Sequence, residues 1–137
     1  MVRLPNVLRI ANTGSNDFFH RTCRKLQITP HPARMPIELA AFFIEFLTDP
    51  GDLILDPFAG SGSTLIASAL AGRKGIGIEI DPVRYWISKI RFQKNGLSND
   101  LKVVKDNFFN QSIKSADVVI VYLIPKTLFA ISRGTSW

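Results

Sequence analysis

From Ile37 to Leu47 the chain is apolar at almost every position, and only Glu38 and Glu45 mark a polar stripe. That pattern predicts a largely buried helix with Pro36 in its first turn, stopped by Asp49, Pro50 and Gly51. Leu53, Ile54 and Leu55 then form a short apolar run of the kind that makes a central parallel strand. The small-residue stretch Ser63 to Ala71 reads as a helix able to pack close to a sheet, capped by Ser63 or Thr64 and ended by Gly72. A second strand is expected over Gly75 to Ile80. Asp81 is placed to cap the next helix, with Pro82 in its first turn and Val83, Trp86, Ile87 and Ile90 at helical spacing. Trp86 is therefore expected in the core, and Gly96 ends the helix. Leu101 to Lys105 reads as a third strand and Asp117 to Leu123 as a fourth, whose unbroken run from Val118 to Tyr122 predicts burial on both faces.

Strands alternating with helices predict an α/β chain with a parallel sheet. Residues 1–30 show no sustained period and are set apart as a poorly specified segment from a domain over 31–137. No internal repeat or low-complexity linker divides the chain further.

The densest chemistry lies where the first strand ends, in LILDPFAGSGST from Leu53 to Thr64. An apolar strand running into an acid, an aromatic and two glycines is suited to a nucleotide cofactor, because Gly60 and Gly62 let the backbone turn tightly and approach a ligand. A phosphate loop of the GxxxxGK[ST] type needs a lysine before its hydroxyl residue, and Ser63 and Thr64 follow Gly62 without one. The dinucleotide fingerprint needs a third glycine where Leu65 stands. S-adenosylmethionine is the remaining reading, with Asp56, Pro57, Phe58, Ala59, Gly60, Gly62 and Thr64 as its expected neighbours. Glu79 and Ile80 close the second strand, where a carboxylate can accept both hydroxyls of a ribose. Asp106 follows the third strand, where an acid can accept from an adenine amino group.

The residues DPFAGSGST, preceded by HPARMPIELAAFFIEFLTDPGDLIL and followed by GRKGIGIEIDP, resemble the amino-methylating DNA methyltransferases across roughly residues 30 to 92. That resemblance implies a Rossmann-like class I methyltransferase fold and modification of adenine N6 or cytosine N4, as in restriction-modification systems. It also implies that DPFAGSG holds the methionine part of the cofactor, with the segment from His31 to Pro36 closing over it. The order of these two elements suits the permuted subgroup, in which a catalytic segment, [DNS]PP followed by an aromatic, lies upstream of both. No such tetrapeptide occurs in this chain, so its catalytic residues stay unassigned. After the fourth strand, where a linear arrangement of the fold places its catalytic residues, Leu123 and Ile124 cannot hydrogen-bond an exocyclic amine. The stretch ADVVIVYLIP resembles, more loosely, small protein-lysine methyltransferases and other class I enzymes.

Charge and cysteine content narrow the setting. Seventeen basic residues against 11 acidic ones give a formal charge of +6, which favours a polyanionic partner such as DNA. Arg84, Lys89, Arg91 and Lys94 nevertheless read as an ordinary solvated helix face. Cys23 is the single cysteine, so an intrachain disulfide is excluded and a reducing cytoplasm is the expected compartment. It follows Thr22, not the proline that precedes the nucleophile of enzymes methylating cytosine carbon 5, and reads as a buried bystander. His20, Cys23 and His31 lack paired ligand spacing, and no metal is expected. The longest apolar runs fall far short of the roughly 20 residues that span a bilayer.

Four strands are fewer than the seven of a full class I sheet, so the domain is expected to be incomplete. In the usual order 3-2-1-4 the fourth strand becomes an open edge, which predicts either a companion chain or second copy covering it or a chain that is itself a fragment. Three functions remain: a DNA amino-methyltransferase completed by another chain, a self-contained methyltransferase for protein or a small molecule, and a cofactor-binding remnant without catalysis.

Overall fold

The computed structural model describes residues 7–11, 18–30 and 35–122. Its elements are α1 (Phe18–Lys25), α2 (Ile37–Leu47), β1 (Leu53–Asp56), α3 (Ser63–Leu70), β2 (Lys74–Glu79), α4 (Pro82–Lys94), β3 (Leu101–Lys105), a short 3-10 helix (Phe108–Asn110) and β4 (Val118–Val119). All strand pairs are parallel and the order is β3-β2-β1-β4. The strands thus follow the expected α/β order, with β4 at one edge of the described sheet.

Alternation along the strands divides the core. Ile54 packs with Ala40, Ile44 and Ala67 of α2 and α3, while Leu101 and Val103 meet Leu65, Ile66 and Phe92 of α3 and α4. On the opposite face Leu55 and Ile78 pack under Phe108, with Ile113 and Ala116 beside them. A cavity of about 190 Å³ lies over this second face, lined by Leu53, Leu55, Ile76 and Val104 among others, and no residue of the glycine turn borders it. Close helix packing requires Gly77, since a Cβ there would stand 2.6 Å from Ala59 Cβ and from Leu65 Cδ1.

Several expectations change in the structure. Neither Ser63 nor Thr64 caps α3: Gly62 takes the cap position at φ 84°, and no side chain bonds the exposed amides. Pro36 occupies the cap position of α2 and not its first turn. The exposed side of α2 is wider than Glu38 and Glu45, because Phe43, Phe46 and Leu47 are exposed as well. Trp86 is 58% exposed, so it is not a core residue: Ile87, Ser88 and Phe92 form the buried stripe of α4, and helical geometry turns Trp86 away from it. Nor is β4 buried on both faces, since Val118 and Val119 are half-buried and Val121 and Tyr122 exposed, as an edge position dictates.

One element was not anticipated. α1 is a short basic helix whose Phe19 and Cys23 pack on Ile87 of α4. Its apolar positions sit four apart within eight residues, too short a window for a period to declare itself.

Candidate functional site

β1 and β2 lie side by side at the centre of the sheet, so the turn after β1 rests against the end of β2. The Ala59 amide donates to the Ile78 carbonyl at 3.0 Å and the Gly60 amide to Glu79 Oε2 at 2.8 Å. The other carboxylate oxygen, Oε1, accepts from the Asp81 amide at 2.8 Å. Glu79, buried at the strand end, therefore braces the glycine turn and the start of α4 with one carboxylate. Each oxygen retains acceptor capacity for a further donor. Asp81 caps α4 as expected, accepting from the Arg84 amide at 2.9 Å.

Asp56 ends β1 and is buried, with the Phe58 amide donating to its Oδ1 at 3.0 Å. Desolvation pushes its carboxyl up to about 6; hydrogen bonds from the Phe58 amide and the Thr64 hydroxyl oppose the shift, and the charge of Glu79 adds to it. Thr64 is itself buried, and its Oγ1 lies 3.5 Å from Met35 Sδ, so the segment entering α2 reaches the first turn of α3. Pro57 and Ala59 are buried in the turn. Gly60 adopts φ 55°. The Phe58 ring packs at 5.5 Å from the Phe108 ring and closes the turn on its other side.

The structure thus brings Asp56, Pro57, Phe58, Ala59, Gly60, Gly62, Thr64 and Glu79 together at the carboxyl ends of β1 and β2, with Pro36 one residue beyond Met35. Ile80 is exposed beside Glu79. Asp106 stands close in the backbone, its amide donating to the Glu79 carbonyl at 3.2 Å. Its carboxylate, however, accepts from the Asn107 amide, Asn110 Nδ2 and Gln111 Nε2, at 2.6, 3.2 and 2.6 Å. These donors, Gln111 foremost, hold it below the usual carboxylate range. His31 lies outside the described residues.

Arg91 is the residue that sequence reasoning missed. Its guanidinium Nη1 donates to the Ser61 carbonyl at 2.9 Å and lies 3.2 Å from Ser61 Oγ and 3.3 Å from Ser63 Oγ, tying α4 to the back of the glycine turn. Arg91 is thus half-buried and not part of a solvated face, and nothing in the sequence separates it from its neighbours Lys89 and Lys94.

Comparison with known proteins gives the family and the fold. A family model described as DNA methylase matches residues 8–89. The chain belongs to this DNA methylase family. The match takes in α1, which the resemblance over residues 30 to 92 did not reach. A second model, the ANTKMT methyltransferase domain, matches residues 56–134, so the two share the span from Asp56 through β2 into α4. Among relatives, the Type II methyltransferase M.PvuII of Proteus hauseri is 40% identical over 96 residues, covering 70% of this chain and 29% of that protein. The Type II methyltransferase M.MjaII of Methanocaldococcus jannaschii is 33% identical over 79 residues, covering 58% of this chain and 15% of that protein. This DNA methylase chain therefore spans less than a third of the length of either relative.

An RNA methyltransferase from Salinibacter ruber, solved in complex with S-adenosyl-L-homocysteine, superposes with a TM-score of 0.65 at 25% identity, covering 73% of this chain and 67% of that one. A SAM-dependent methyltransferase from Geobacter sulfurreducens superposes with a TM-score of 0.58 at 20% identity, covering 74% and 41%. The fold is the Rossmann-like class I methyltransferase fold, represented here by four parallel strands with flanking helices.

Proposed function

We propose that this chain is the cofactor-binding part of a DNA adenine-N6 or cytosine-N4 methyltransferase and holds S-adenosyl-L-methionine across the carboxyl ends of β1 and β2. The observation that carries the reading is the pairing of two buried acids around one glycine turn. Glu79 clamps the Gly60 amide and Asp56 lies within its electrostatic reach. A carboxyl pushed up to about 6 by burial is brought back to the ionised form by a cation beside it, and the methyl donor carries cationic ammonium and sulfonium groups. A nucleoside hydroxyl pair suits the acceptor capacity left on Glu79.

In this reading Asp56, Pro57, Phe58, Ala59, Gly60, Gly62 and Thr64 surround the methionine part, with His31 and Pro36 closing over it. Glu79 accepts the ribose hydroxyls and Ile80 flanks them. At Asp106 the adenine contact falls to the loop that its carboxylate organises, since Asn107, Asn110 and Gln111 already donate to that carboxylate. The cofactor would supply an electrophilic methyl group, and the chain's own residues hold it in place. The catalytic [DNS]PP-aromatic segment does not occur in this sequence and is supplied from outside it, by a companion chain or by another part of the same protein. That companion or part, or a second copy, covers the open edge of β4 and the exposed Phe43, Phe46 and Leu47 of α2. Residues 31–137 form the cofactor-binding domain and the enzyme works in the cytoplasm; among the described residues no helix is long and apolar enough to cross a membrane.

Calorimetric titration with S-adenosyl-L-methionine tests the reading. Micromolar binding is expected, lost in both Asp56→Ala and Glu79→Ala, whereas binding unaffected by either change would move the cofactor elsewhere. The match of residues 56–134 to the ANTKMT methyltransferase domain favours a second reading, a self-contained methyltransferase for protein or a small molecule. Methyl transfer by the chain alone, to a non-DNA acceptor, is its distinguishing result. Cofactor binding without turnover, even with a companion, would leave a binding remnant.

A further inference from the structure

The positive surplus of this protein is concentrated in two elements of the chain. α1 and α4 hold seven of the 17 basic residues and none of the 11 acidic ones, which leaves the rest of the chain with ten basic against eleven acidic. The two helices form one unit, joined through Phe19, Cys23 and Ile87. Lys94 reaches across that joint, its Nζ 5.0 Å from the Phe18 ring centroid. On the outer face of α4, Trp86 is 58% and Ile90 42% exposed, and Lys89 Nζ lies 5.4 Å from the ring centroids of both Tyr85 and Trp86. Arg21, Arg24 and Lys25 are exposed on α1. α4 starts at Pro82, three residues after the acid that braces the glycine turn.

We infer that the outer faces of α1 and α4 form a docking surface for the phosphate backbone of duplex DNA, separate from the cofactor site. Lysine ammonium groups on two packed helices neutralise phosphates without reading bases, and their counterion release makes such contacts strongly salt-dependent. An exposed aromatic within a cationic face, with a lysine over its ring, packs against the sugar-phosphate backbone once the charges engage. A purely apolar partner does not fit, because burying these cationic side chains against it would cost far more than Trp86 and Ile90 return. That the polyanion is DNA rests on the methyltransferase reading above; the surface itself rests on charge placement and exposure.

The test is duplex binding by the full chain, followed by anisotropy of a labelled DNA across a salt series. Lys25→Glu, Lys89→Glu and Lys94→Glu combined should lower affinity at least about tenfold and flatten the salt dependence by roughly three phosphate contacts. Lys102→Glu, Lys105→Glu and Lys114→Glu combined, the same change in net charge on exposed positions of β3 and the loop after it, should cost much less. In a Trp137→Phe background Trp86 is the sole tryptophan, and its emission should change as duplex is added. Equal losses from the two triple variants, or duplex binding with no change in Trp86 emission, would overturn the proposal. So would equally tight binding of polyglutamate, which would assign the surface to an acidic protein. Calorimetry with the methyl donor on the same variants separates the two readings. Intact cofactor binding with no duplex effect removes only the surface, and lost cofactor binding in the unmodified chain removes only the methyltransferase reading.

Discussion

Burial makes Asp56 the most pH-sensitive group described at the turn, and the sign of its effect differs between the free and the loaded protein. Its carboxyl is pushed up to about 6 from an ordinary 3.8, so the folded chain holds that proton more tightly than the unfolded one. The stabilising contribution is complete below 3.8 and is lost as pH rises through about 6. Asp56→Asn should therefore stabilise the unliganded chain at neutral pH, by about 1–3 kcal/mol in a denaturant titration, while abolishing cofactor binding. Conversely, the affinity of the unmodified chain for the cationic methyl donor should fall about tenfold per pH unit below about 6, read by calorimetry at several pH values. Most residues gathered at the turn were legible in the sequence, because an acid after an apolar strand and two spaced glycines admit few backbone paths. Arg91 and the bracing role of Glu79 were not, since both rest on side-chain contacts across the fold, Glu79 with the amides of Gly60 and Asp81 and Arg91 with the back of the turn.

The helices are positioned by glycine and arginine at their joints. A Cβ on Gly62 would lie 2.6 Å from Phe92 Cε1 and 2.8 Å from its Cζ, and φ 84° is strained for any other residue. Gly62→Ala should destabilise the fold by about 2–4 kcal/mol in chemical denaturation, combining backbone strain with overpacking against α4. Arg73, buried between α2 and α3, donates to Thr48 Oγ1 at 3.0 Å and to the carbonyls of Thr48 and Ala71. Arg73→Ala orphans two carbonyls at helix ends and should cost about 2–4 kcal/mol, with the loss showing as an earlier thermal transition. Periodicity located α2, α3, α4 and the first three strands to within a residue or two, because each carries its own apolar pattern. It misjudged exposure on α2 and α4, where apolar Phe43, Phe46 and Trp86 lie on the faces turned away from the sheet and are exposed.

Seen whole, the molecule keeps α2, α3 and α4 on one face of a four-stranded sheet and places the acid-braced turn at the strands' carboxyl ends. β4 bonds only β1 among the described residues, and α2 exposes Phe43, Phe46 and Leu47. Purified alone, the chain should self-associate in a concentration-dependent way in sedimentation velocity, and Phe46→Lys should shift it toward monomer. The strand order was expected from the fold; the concentration of positive charge on α1 and α4 was not, because helix pairing is invisible in a linear charge count. The most direct test of cofactor binding at the β1–α3 turn is a nitrogen-proton correlation spectrum of the labelled full chain, titrated with S-adenosyl-L-methionine. Shifts concentrated on the amides of Phe58, Gly60, Gly62 and Ile80, with α1 and the outer face of α4 unmoved, are the predicted result; shifts confined elsewhere, or none, would contradict it.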